Sequence, residues 1–427
     1  MPSALDGRAG AGDVRHSLYC LATDLLDEGA ATVFAHARGR AGVDEVTVAA
    51  KYHAAFDVYP HNPLRRVAAV APGVYYRPDP DRYADEPIRA VASATAGGRD
   101  VLAEACAQGE SEGVDVAAWV VLLHHDEASR GGPGLARNCF GDELAGILCP
   151  ASPASARFAE LVVGDVCAYP VTTVRLESFH YHGLSHGRHH ERLLELYGRA
   201  TTFLLGVCFC DGCVAAAGDA GIDAQALGAR VRAAVAEDLA GRRESRPLSL
   251  DALAEACGED LPALLGVREH VVTRLAGRLA SVAARAGVRL SLIEPTVASG
   301  SYATGRRDVA AEQVARLELG LGVGALCTSG LDVEITGYLA DAQDLARVLD
   351  SLGAAGRRGT RGVEQSAMPA RGRVSVVLRP GPPDGADTAS LRAKVDVARR
   401  AGCREVSFYA YGLYRLDALD RIGAALA

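Results

Sequence analysis

From one end of the chain to the other, eight short β-rich runs alternate with long helical stretches rich in Ala, Leu and Arg. The runs cover residues 16–22, 45–51, 116–124, 172–177, 288–294, 331–336, 373–379 and 404–410. The helical stretches cover 26–40, 99–112, 155–168, 188–205, 308–319, 341–355, 388–401 and 413–426. Strands that are each followed by a helix pair in parallel, and eight such units close on themselves as a (β/α)8 TIM barrel. A doubly wound open sheet shares the alternation, but no Gly-rich dinucleotide fingerprint follows the first run.

Residues 1–427 read as a single barrel domain with long insertions after strands two and four. The first insertion runs from Lys51 to about Arg99 and is rich in Pro, Tyr and Arg. The second, at about 208–286, is largely helical and is expected to pack outside the barrel. Long connections in a compact domain are usually functional or lid-like. The Gly/Arg-rich stretch 357–373 reads as a mobile loop.

Composition narrows the function classes. Hydrophobic residues make up 49% and charged residues 23%, as in an ordinary soluble enzyme. No apolar run reaches the roughly 18–20 residues of a membrane helix, and the first residues carry no apolar signal core. The expected setting is therefore cytoplasmic, with no membrane partner. The net charge of −8 comes without a basic stripe, which argues against nucleic acid. A homo-oligomer is compatible with the sequence. Only two lysines occur, Lys51 and Lys394, so lysine is not the default surface cation here. The 11 cysteines suggest reduced thiols or metal ligands rather than a disulfide framework.

Strand periodicity assigns faces, because successive side chains point to opposite sides of a sheet. The apolar partners Leu331, Val333 and Ile335 must meet helices, which turns Asp332, Glu334 and Thr336 into the barrel. The same logic turns Thr173, Arg175 and Glu177 inward, and Ser375 with Arg379. It also turns Ser407, Tyr409 and Tyr411 inward, and Thr47, Lys51 and His53. A structural barrel fills this space with branched aliphatics. Some of these polar groups must pair, as Arg175 can with Asp332 or Glu334, since unpaired buried charge is costly. Residues at the C-terminal strand ends, Lys51, Glu177, Arg379 and Tyr409, are candidates for a site.

Around strand four the motifs sharpen. Arg137-Asn138-Cys139 is followed by Leu148-Cys149-Pro150-Ala151-Ser152-Pro153 and a helix. Then come a strand ending Arg175-Leu176-Glu177-Ser178 and the cluster Cys208-Phe209-Cys210-Asp211-Gly212-Cys213. This order resembles family 42 glycoside hydrolases, the β-galactosidase-like barrels of glycosidase clan A. The resemblance implies Glu177 as acid/base and Cys149, Cys208, Cys210 and Cys213 as ligands of a structural zinc. Three thiolates within six residues suit three corners of a tetrahedron, and Cys149 supplies the fourth. Three reduced cysteines in a buried turn are the plainer reading. Two positions depart from the family: Leu176 stands where it has Asn, and strand seven ends in Arg379 rather than Glu.

Glycosidic cleavage needs two carboxylates. The partner candidates for Glu177 are Glu294, which closes strand five, and Glu334, whose other role is to pair Arg175. His180 and His182 head a His-rich segment that also holds His186, His189 and His190. They suit substrate hydroxyls, a proton shuttle or, as a His-x-His pair, a metal. Asp24, Lys51, His53, His124, His180, His182, Arg379, Tyr409 and Tyr411 are the candidate substrate contacts, with Tyr75 and Tyr76 as further aromatic platforms. The expected function is a glycoside-hydrolase-like enzyme acting on a small glycoside or oligosaccharide, without an organic cofactor. Two alternatives stay open. One is a metal- or lysine-dependent lyase, aldolase or isomerase on a sugar-like substrate, with Lys51 as Schiff base or general base. The other is a catalytically silent carbohydrate-binding barrel.

Overall fold

The eight expected strands form one closed parallel barrel in chain order. They are Arg15–Cys20, Glu45–Tyr52, Asp115–Val121, Thr173–Glu177, Arg289–Glu294, Asp332–Thr336, Val374–Leu378 and Glu405–Phe408. The first strand pairs with the eighth (Leu18 opposite Phe408) and with the second (Cys20 opposite Val48), which closes the ring. The computed structural model describes residues 14–128, 131–184, 198–241, 246–358, 372–385 and 387–427. Most of the Gly/Arg-rich stretch 357–373 lies outside the described residues, as do His186, His189 and His190. Among the described residues no single helix is long and apolar enough to cross a membrane.

Outward strand residues such as Val46, Val48, Val174, Leu176, Val333, Ile335, Val406 and Phe408 are fully buried under the helices. The helix Pro153–Val166 shows how the outer layer forms. Proline at its first turn fixes the entry dihedral, and Phe158, Leu161, Val162 and Val166 form its buried stripe. The helix that covers the junction of strands four and five is Asp260–Arg285, which packs on the fifth strand and on Pro153–Val166. The end of the expected external insertion thus serves as a barrel helix. The helices Asp211–Asp219, Ala224–Leu239 and Leu250–Cys257 precede it. Part of that segment builds a second apolar cluster around Leu227, Val231, Leu253 and Leu264.

Inside the barrel the alternation holds, with one break. A β-bulge lies between Ala49 and Lys51, so that Lys51 rather than Ala50 faces Val120. The extra residue reverses the facing of the strand end. Tyr52 and His53 reach the mouth of the barrel, and Lys51 does not line it. Its ammonium instead donates to the carbonyls of Val121 and His124, at 2.7 and 2.8 Å.

The lower lumen holds a buried ion network in place of an aliphatic layer. Arg175 donates to Glu45 at 2.5 Å, to Glu334 at 3.1 Å and to Glu405. Glu334 also accepts from Ser407 at 2.6 Å and from Tyr19 at 2.5 Å. Of the two partners foreseen for Arg175, Glu334 is taken; Asp332 accepts the backbone N–H of Arg373 instead. Removing one member of a buried charge cluster strands the others without solvent. Arg175→Met should therefore lower the unfolding free energy by about 3–5 kcal/mol, read from a denaturant midpoint. An unshifted midpoint would mean that the three carboxylates do not depend on the guanidinium.

Candidate functional site

At the C-terminal end of the barrel the lumen opens into a cavity of about 430 Å³. Its floor is the uppermost inward ring of the strands: Tyr19, Trp119, Glu177, Ile293, Thr336 and Val377. Tyr52, Tyr302, Tyr338 and Tyr409 wall it, and the segment from His53 to Asp57 roofs one side. Aromatics make up only 5% of the chain, yet its single Trp lies here among Tyr residues. Tyr19 and Trp119 meet edge to face at 5.3 Å, and Tyr52 and Trp119 at 4.7 Å. Such contacts hold the rings in fixed orientations. A larger groove of about 720 Å³ lies against the helical insertion, but it gathers no comparable acid–aromatic arrangement.

Glu177 enters this cavity at the end of the fourth strand. Its Oε2 accepts the indole N–H of Trp119 at 2.8 Å. Burial pushes its carboxyl above the usual glutamate range, against the opposing pull of His53 and the indole. The next residue, Ser178, sits at φ +54° although it is not glycine. Non-glycine residues adopt this region at some cost, and such residues cluster where a side chain must be aimed.

The other expected carboxylates lie elsewhere. Glu294 faces away from the lumen, since its neighbours Ile293 and Pro295 line the cavity and it does not. It is buried and accepts the N–H of Thr296 at 3.1 Å. Glu334 lies beneath the floor in the Arg175 network, linked to the cavity only through the Tyr19 hydroxyl. The second acid that does line the cavity is Asp57, from the hairpin Ala55–Val58/Val67–Val70 in the first insertion.

Of the expected substrate contacts, His53 and Tyr409 line the cavity. His53 stacks on His124 at 5.0 Å, and His124 in turn meets His182 at 6.3 Å. His182 lies 5.1 Å from His180, so these rings run in file away from the cavity. His124 also pairs with Asp126 at 3.0 Å. Burial lowers His180 to about 4, and its Nδ1 faces the Tyr181 carbonyl at 2.6 Å. Arg379 stands behind the wall. It is clamped by Asp384 through two bonds of 2.6 and 2.5 Å, with its guanidinium 4.9 and 4.6 Å from the ring centres of Tyr302 and Tyr338. Asp24 and Tyr411 belong to a separate buried group. Tyr411 donates to Glu28 at 2.7 Å, and burial pushes Asp24 up to about 8. Tyr75 and Tyr76 are buried away from the cavity. Lys51 is likewise off it, with burial pulling its ammonium down to about 8.

The four cysteines foreseen as metal ligands do come together. The sulfurs of Cys149, Cys208, Cys210 and Cys213 all lie within 4.8 Å of one another, and all four residues are buried. A tetrahedron with metal–sulfur bonds of ~2.3 Å needs sulfurs about 3.8 Å apart, so the residues fit such an ion. Backbone N–H groups of Arg137 and Cys210 point at Cys208 Sγ at 3.3 and 3.5 Å. Four thiols leave no open position, so an ion held here ties the 148–153 turn to the 208–213 turn. No other such group of His, Cys, Asp or Glu is found among the described residues. Gly212 is what lets the two turns meet, because a Cβ there falls 2.4 Å from the Ala151 carbonyl oxygen. Gly212→Ala should cost about 1–3 kcal/mol of stability, measured by denaturant unfolding. A neutral result would mean the turns have slack between them.

No protein-family model matches the sequence, and no curated protein matches it. Among solved structures, the catalytic domain of a β-amylase from Paenibacillus polymyxa aligns over 97% of this chain and 95% of its own. The TM-score is 0.50 at 10% identity. A β-galactosidase from Rahnella sp. R3 aligns with TM-score 0.49 and 10% identity over 97% of this chain and 56% of that one. An exo-β-N-acetylglucosaminidase from Vibrio harveyi gives 0.42 and 10% over 97% and 54%. At 10% identity the likeness to the β-amylase domain shows the barrel fold.

Proposed function

We propose that the protein is a glycoside-hydrolase-like enzyme acting on a small, uncharged glycoside or oligosaccharide, with Glu177 as general acid/base. The observation that carries this reading is a carboxyl group with a raised pKa, held by an indole N–H on the floor of an aromatic-walled cavity. A raised pKa keeps a carboxylic acid protonated at higher pH, as a proton donor to a leaving oxygen requires. Flat rings suit the apolar faces of sugars, and their hydroxyls suit the sugar edges. The cavity volume lies within the ~300–1,000 Å³ of small-molecule sites. Among the described residues no Arg or Lys lines the cavity, which favours an uncharged substrate. Lys51 lies off the cavity with its ammonium bound to two carbonyls, so nothing observed favours the lysine-dependent alternative.

In this reading Glu177 gives its proton to the glycosidic oxygen as the bond to the anomeric carbon breaks. The Trp119 indole orients the carboxyl, and the Tyr walls exclude water from the sugar face. Arg379 acts as a positioning residue, holding Tyr302 and Tyr338 against the cavity. For the four-thiol site we propose zinc, in a purely structural role. Metal analysis of the purified protein should find about one zinc per chain. Cys210→Ser should lower stability far more than turnover per folded molecule. Protein that lacks metal and has all four thiols freely alkylated would remove the zinc assignment.

The mechanism is tested on aryl glycosides and short oligosaccharides. Glu177→Gln should fold normally, bind substrate, and lose about 10²–10⁴-fold in rate on sugar leaving groups. The wild-type rate should fall as pH rises through the raised Glu177 pKa, because the donor then loses its proton. That limb should vanish in Glu177→Gln. Near-normal turnover of oligosaccharides by Glu177→Gln would make the assignment wrong, and a wild type that binds sugars but cleaves none would be a silent barrel.

A further inference from the structure

We infer that Asp57, on the hairpin inserted after the second strand, is the second carboxylate of the reaction and takes the proton of the attacking water. This rests on the reading of Glu177 as proton donor. The other acids near the barrel mouth are engaged elsewhere. Glu294 accepts from Thr296, Glu334 from Arg175, and Asp384 from Arg379. Asp126 is paired with His124, and Glu127 with His125 at 3.0 Å. Of the acids among the described residues, only Glu177 and Asp57 line the cavity.

The hairpin aims Asp57 by strand alternation. Ala55 pairs with Val70 and Asp57 with Ala68, while the intervening Phe56 and Val58 are 59% and 62% exposed. Asp57 Oδ2 accepts from the Tyr59 hydroxyl at 3.2 Å, which also meets Thr23 Oγ1 at 3.2 Å. One oxygen is thereby anchored, and the carboxylate stands over the first and second strands. Glu177 rises from the fourth. Tyr52, Tyr302 and Tyr409 line the same cavity as both acids. Glu177 and Asp57 enter the cavity from separate elements, the end of the fourth strand and the inserted hairpin. A cavity of about 430 Å³ leaves room for a water beside a sugar, as single displacement requires.

The step balances without any further reagent. Glu177 donates its proton to the glycosidic oxygen, and the electron pair of the breaking bond goes to that oxygen. Water attacks the anomeric carbon from the opposite face and forms the new C–O bond. Its proton passes to the Asp57 carboxylate. The products are the free alcohol and a sugar of inverted anomeric configuration. Exchange with solvent returns one proton to Glu177 and takes one from Asp57.

The test uses the full chain with a disaccharide and a 2,4-dinitrophenyl glycoside that the wild type cleaves. Glu177→Gln should fail on the disaccharide but keep much of its rate on the dinitrophenyl substrate, whose leaving group needs no proton. Asp57→Asn should lose about 10²-fold or more on both. Azide, a nucleophile that needs no base, should restore its rate and yield a glycosyl azide of inverted configuration. A purely structural aspartate would not respond to azide. NMR of the first-formed wild-type product should show inversion. If Asp57→Asn melts early, Asp57→Glu serves instead, with kcat lowered and KM unchanged. Near-normal Asp57→Asn beside a dead Glu177→Gln overturns the role of Asp57 and leaves Glu177 standing. Retention of configuration overturns the single displacement. A wild type that cleaves no glycoside overturns the underlying reading itself.

Discussion

The guanidinium of Arg175 is the point around which this barrel is arranged. It comes from the fourth strand, and its carboxylate partners Glu45, Glu334 and Glu405 come from the second, sixth and eighth. Barrel interiors are built in layers contributed by alternate strands, so here one complete even-strand layer is ionic. An aliphatic layer would tolerate small shifts of register. A planar cation with three fixed acceptors does not, because each shift would leave a buried charge unpaired. Tyr19 carries that rigidity upward: its hydroxyl binds Glu334 while its ring forms part of the cavity floor. The orientation of Trp119, packed edge-on against Tyr19, follows from it. So does the position of the Glu177 carboxyl, which Trp119 holds.

Much of this was legible in the residue order. Strand alternation located Arg175, Glu177 and Glu334 in the lumen, and it contained Glu45 and Glu405 as well. They stand two residues before Thr47 and Ser407 on the same strand face. The Cys-x-Cys-x-x-Cys spacing and Cys149 announced the thiol cluster, since short-range spacing nearly fixes where such sulfurs can go. The misread residues have different causes. A bulge turned Lys51 out of the lumen, and periodicity cannot count a residue that the ladder skips. Alternation also put Glu294 behind the fifth strand, while its place at the strand end had suggested the catalytic face. Asp57, Tyr302 and Tyr338 reach the cavity from connecting segments, whose course depends on tertiary packing rather than local pattern.

The division of labour between strands and loops also shapes the site. The floor is rigid because every residue in it belongs to the barrel sheet or packs directly on it. The walls depend on second-rank contacts such as the Arg379–Asp384 clamp, which fixes Tyr302 and Tyr338 through their ring faces. Arginine is suited to this, since it can stack on aromatic rings and hold a carboxylate with both arms of its fork at once. A strand-seven residue that faces the barrel mouth thus shapes the cavity without entering it.

Both lysines of the chain are interior. Lys51 caps the carbonyls of Val121 and His124, and Lys394 caps those of Leu339 and Asp384. Each uses its flexible stem to bring a compact donor to backbone that the helices cover, a task the broader guanidinium could not perform in the same space. The outer surface is left with arginine as its only side-chain cation apart from histidine. Acetyltransferases, ubiquitin ligases and amine-reactive cross-linkers therefore meet a folded protein with no exposed side-chain amine, and only unfolding would offer them one.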